Sequence, residues 1–73
     1  METIIIHLKT GENVTLIPHI GIVRKGIIIE RQASETPIKD DLELSKIKGI
    51  GNIRGRQILN WIDVNKDKIK IIY

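Results

Sequence analysis

The chain has 73 residues, a formal charge of +3, a pI near 9.5 and no cysteine, so disulfides and thiolate metal sites are excluded. His7 and His19 have no spaced partner, no metal or other cofactor is expected, and a core of this size supplies only a few kcal/mol unless oligomerisation adds to it. No apolar run approaches the roughly 20 residues of a membrane span, and Glu2 stands where a secretory signal would be basic, so a soluble cytoplasmic protein is expected.

Thr3 to Leu8 is rich in β-branched residues and Asn13 to Ile17 alternates again, with Gly11 between them in a loop suited to a hairpin. Pro18 and Gly21 mark a bend or bulge. Ile20 to Val23 then reads as a short strand, Arg24-Lys25-Gly26 as a tight turn, and Ile27 to Arg31 as the partner strand. The pattern predicts a small N-terminal antiparallel β-meander within a β-rich part at residues 1–33. Ile4-Ile5-Ile6 and Ile27-Ile28-Ile29 lack alternation, which makes both faces of those strands apolar. One face can pack on helices; a homodimer partner is the economical cover for the other.

Gln32 to Thr36 reads as a polar linker. Asp40 can cap a helix while Glu43 reaches back, giving a first helix at about Asp41 to Ile47. Gly49 and Gly51 mark a turn, because each costs about 1 kcal/mol in a helix interior, and a second helix follows at about Asn52 to Val64. This helical part occupies residues 38–64. After the turn residues Asn65-Lys66-Asp67, an alternating stretch within residues 67–73 predicts a short C-terminal strand returning to the sheet. No internal repeat is evident. The expectation is one α+β domain, residues 1–73, with helices on one side of the sheet.

Leu44, Ile47, Gly49, Ile50, Gly51, Gly55, Ile58 and Leu59 fall on a specific pattern. The stretch resembles the helix-hairpin-helix motif of DNA repair, replication and DNA-uptake proteins, as a single copy over about residues 40–63. Gly55 is a mild departure, alanine being commoner at that position. The resemblance implies that main-chain amides near Gly49, Ile50, Gly51 and Ile53 contact DNA phosphates without reading bases, with Ile50 packed inward. The residues agree, since bare backbone at the positive end of a helix accepts a phosphate. Lys48 and Arg54 would add charge-assisted bonds, with Lys46 and Arg56 next in line.

No acid occurs between residues 44 and 62. Family members often pair two such motifs. Here a homodimer supplies the second, or one hairpin binds weakly, or the motif serves protein contact. Asn52, Gln57 and Asn60 read as solvated amides rather than base readers, and Trp61 as a packing anchor. Ser34 and Ser45 have no nearby base pattern, so no enzyme is expected. The expected function is non-sequence-specific binding of the DNA backbone; the alternatives are an adaptor docking on a larger protein partner, or a structural homo-oligomer. Abundant isoleucine and lysine hint at an AT-rich genome, as in a phage or mobile element.

Overall fold

The computed structural model describes residues 2–73. Met1, the first residue of the expected β-rich part, lies outside them. The order is strand β1 (Ile4–His7), a 3-10 turn (Val14–Leu16), helices α1 (Ile22–Gln32), α2 (Asp41–Leu44) and α3 (Gly51–Val64), and strand β2 (Ile69–Ile72). β2 runs parallel to β1, with Ile4 opposite Ile69 and His7 opposite Ile72. The class is α+β, but the antiparallel meander does not form: a two-stranded parallel sheet joins the two ends of the chain.

The reason begins at Gly11, whose φ of +81° allows a tight return. The return lasts for one bridge, His7 to Glu12. Asn13 then turns left-handed at φ +61°, and its side-chain amide donates to the Ile5 carbonyl at 2.9 Å, so the 3-10 turn starts where a second strand was expected. A Cβ at Gly11 would stand 2.6 Å from Lys25 Cε and 2.7 Å from Ile29 Cδ1; α1 therefore crosses directly over this turn.

Helix α1, starting at Ile22, takes the place of the expected strands at Ile20 to Val23 and Ile27 to Arg31, and its 11 residues make a third of the expected β-rich part at residues 1–33 α-helical. At 3.6 residues per turn, the triplet Ile27-Ile28-Ile29 covers one arc of the helix. Ile28 is fully buried at its centre, Ile27 and Ile29 are half-buried at its edges, and buried Gln32 follows one turn on. Burial on that stripe overrides the β preference of the isoleucines. The triplet is thus not a two-faced strand, and the case it made for a partner protomer lapses. In β1 the inward side chain is Ile6, while Ile4 and Ile5 are exposed.

One buried cluster draws on every part of the chain, from Ile6 in β1 and Leu8 just after it to Ile58 and Ile62 in α3. Gln32 does not open a linker. It ends α1 in the interior, where its Oε1 accepts the Ile38 N–H at 2.6 Å and its Nε2 donates to the carbonyls of Ile38 and Tyr73, both at 3.1 Å. Asp40 caps α2 by accepting the Glu43 N–H at 2.8 Å. The Glu43 side chain does not reach back; its carboxylate lies 3.6 Å from the Arg31 guanidinium.

The last residue gives a clean pH probe. The Tyr73 hydroxyl donates to the Asp41 carboxylate, and burial, that hydrogen bond and the charges of Asp41 and Asp40 push its pKa well above the ordinary 10.0. A raised folded pKa means the stabilisation is complete below the unfolded value and fades as pH climbs through 10 toward the folded one. Tyr73 is the only tyrosine, so an ultraviolet phenolate titration reads it alone. The native protein should titrate above the urea-unfolded one, and Tyr73→Phe should flatten the loss of stability in that alkaline window. Coincident titrations would refute the assignment.

Candidate functional site

The turn joining α2 to α3 is built from backbone in which a side chain would be strained. Gly49 and Gly51 have φ of +88° and +79°, the left-handed region that glycine enters without strain. Between them Ile50 points inward and is buried, and its N–H donates to the Ile47 carbonyl at 3.2 Å, so this amide is engaged internally. The amides of Gly51, Asn52 and Ile53 open α3 and have no carbonyl one turn earlier in the helix. Gly55 lets α3 approach the turn: a Cβ there would lie 2.6 Å from the Ser45 carbonyl oxygen.

The four cations of this stretch do not gather at one point. Lys46, Lys48, Arg54 and Arg56 are all exposed. Lys46 and Arg56 line a cleft with Gly51, Asn52 and Gly55 between α2 and α3. Lys48 faces the other way, into a groove bounded by Gly21, Ile22, Val23, Arg24 and Ile27 at the start of α1.

That groove reveals a feature the sequence reading missed. The unit made by the 3-10 turn and α1 repeats as α2 and α3, thirty residues later. Ile17, Ile20, Gly21, Arg24 and Ile28 recur as Ile47, Ile50, Gly51, Arg54 and Ile58, while Val14, Val23 and Ile29 become Leu44, Ile53 and Leu59. The buried positions coincide: Val14, Ile17, Ile20 and Ile28 against Leu44, Ile47, Ile50 and Ile58. So do the hydrogen bonds. The Leu16 amide donates to Asn13 at 3.1 Å as that of Lys46 does to Glu43 at 3.0 Å, and Ile20 to Ile17 as Ile50 to Ile47, both at 3.2 Å. His19 holds φ +66° where Gly49 holds +88°.

The two turns sit side by side and are tied together. Arg24 donates from Nη1 to the His19 carbonyl at 3.0 Å and from Nη2 to the Gly49 carbonyl at 3.1 Å, spanning the matching residues of both turns. The planar fork of the guanidinium suits this double duty, which a lysine could not perform. A second tie runs from His19 Nε2 to Gln57 Oε1, so Gln57 is committed within the fold. Asn52 and Asn60 are exposed, and Trp61 packs half-buried against the core. Among the described residues, no group of three His, Cys, Asp or Glu side chains is placed to hold a metal, and no helix is long and apolar enough to cross a membrane.

No protein-family model matches this chain, and neither does any curated protein or solved structure.

Proposed function

We infer that the chain is a small, non-sequence-specific DNA-binding protein of helix-hairpin-helix type, gripping phosphates with two hairpins carried in one polypeptide. The observation behind this reading is the repeat of the turn thirty residues apart, with Arg24 holding the two copies in register. Each copy brings a helix start free of acidic residues in its first turn, the polarity that favours an anion. Lys48 lies between the copies, where it can neutralise a phosphate, and Arg54 follows in the first turn of α3. With both hairpins internal, a second protomer is not required, and the active species is expected to be a monomer. The cytoplasmic location expected from sequence goes with this reading.

Fluorescence anisotropy of a labelled duplex, titrated at two salt concentrations, tests it. Binding should weaken with salt, each neutralised phosphate adding about −0.9 to the slope of log K against log salt. Lys48→Glu should cut affinity about tenfold or more and make that slope shallower by about 1 to 2. Absence of binding at low salt would remove DNA as the ligand and leave a protein-docking role, whereas binding with an unchanged slope in Lys48→Glu would remove Lys48 from the phosphate contacts.

A further inference from the structure

The hairpins carry more than charge. The first turns that follow them expose Ile22, Val23 and Ile53, at 84%, 78% and 76% of their accessible surface. Helix starts in water favour Ser, Thr, Asp and Glu; neither α1 nor α3 has an acid or a side-chain cap there. Val23 and Ile53 occupy the same position in the two copies, each followed by an arginine, although their neighbours Ile22 and Asn52, or Lys25 and Gly55, have diverged. An aliphatic side chain recurs at an exposed site in both halves, and in the first half Ile22 and Val23 share a groove with Gly21, Arg24 and Lys48, a combination that calls for a ligand with an anionic and an apolar part.

We propose that Ile22, Val23 and Ile53 are wedge residues that press on the sugars and base steps of the minor groove and locally unstack a duplex whose phosphates the hairpins hold. This deepens the DNA-binding reading and rests on it. The basic rim selects a polyanion, and no acid occurs from Val14 to Ile29 or from Leu44 to Ile62. A membrane surface fits less well, because the three side chains stand at the starts of two separate helices rather than along the flank of one. Insertion of aliphatic side chains costs least at flexible pyrimidine–purine steps and at mismatches, and most in stiff A-tracts, so those duplexes should be ranked in that order.

The test uses the full chain carrying Ile22→Ser, Val23→Ser and Ile53→Ser together. All three sites are exposed, so the fold should survive, and denaturant unfolding checks that it does. The probe is a duplex with 2-aminopurine at a pyrimidine–purine step, whose fluorescence rises on unstacking. The parent protein should raise that signal. The triple variant should bind about tenfold or more weakly, with the salt slope unchanged and the fluorescence rise gone, because it loses apolar contact and no phosphate contact. Equal affinity and an equal or absent fluorescence rise in parent and variant would overturn the wedge while leaving phosphate binding intact. Failure of the parent to bind any DNA, or its preference for anionic vesicles over duplex, would overturn both.

Discussion

Gly55→Ala should destabilise the protein by about 1 to 3 kcal/mol, the usual cost of an overpacked site, although alanine is the better helix former by about 1 kcal/mol. The added methyl would stand 2.6 Å from the Ser45 carbonyl oxygen, a backbone atom that cannot swing aside. Helix α3 would have to lift away from the turn it packs on, and the buried contacts of Ile47, Ile50 and Ile58 would loosen with it. Gly26→Ala is the matched control. It too lies inside a helix, but nothing stands within 4 Å of a Cβ there, so it should stabilise by about 0.5 to 1 kcal/mol. Urea unfolding followed through the single tryptophan, Trp61, measures both. Shifts of the same sign would mean that the close approach at Gly55 has no energetic weight.

What could be read from sequence was what local chemistry decides. Gly49 and Gly51 are legible because left-handed backbone favours glycine, and the Asp40 cap because its partner amide is three residues away. Helix α1 was not, since three consecutive isoleucines fit a buried strand or one arc of a helix, and only what covers Ile28 decides between them. The parallel pairing of Ile4 with Ile69 is a contact between chain ends that no local pattern encodes. The first hairpin was hidden by two substitutions. His19 and Lys25 stand where the glycine-based pattern has Gly49 and Gly55, and comparing the chain with itself at a thirty-residue offset would have exposed Gly21 and Arg24 instead. The division of Lys46 from Lys48 between two faces was also out of reach, because it depends on where α1 lies.

Gln32→Ala should cost more than any surface change, about 3 to 5 kcal/mol, because it opens a cavity and strands buried polar groups at once. Gln32 is 7% exposed, and its amide satisfies both the N–H and the carbonyl of Ile38 while holding the Tyr73 carbonyl at the end of β2. In a domain with only a few kcal/mol to lose, the variant should be largely unfolded at room temperature. Gln32→Leu separates the two causes. It refills the space but offers no hydrogen bond, so it should recover only the packing share, about 1 to 2 kcal/mol.

The matching position in the other copy is Ile62, where an aliphatic side chain suffices because it belongs to the apolar cluster and has no backbone to clamp. Gln32→Glu sharpens the point further. Its carboxylate can still accept from Ile38 but cannot donate to the two carbonyls, so the folded state would favour the protonated acid and raise its pKa. Relative to the parent, the stability of that variant should therefore be best at acid pH and fall as pH rises through the raised value. A Gln32→Leu protein as stable as the parent, or a Gln32→Glu protein without this pH dependence, would show that the interior of the chain is held by apolar packing alone.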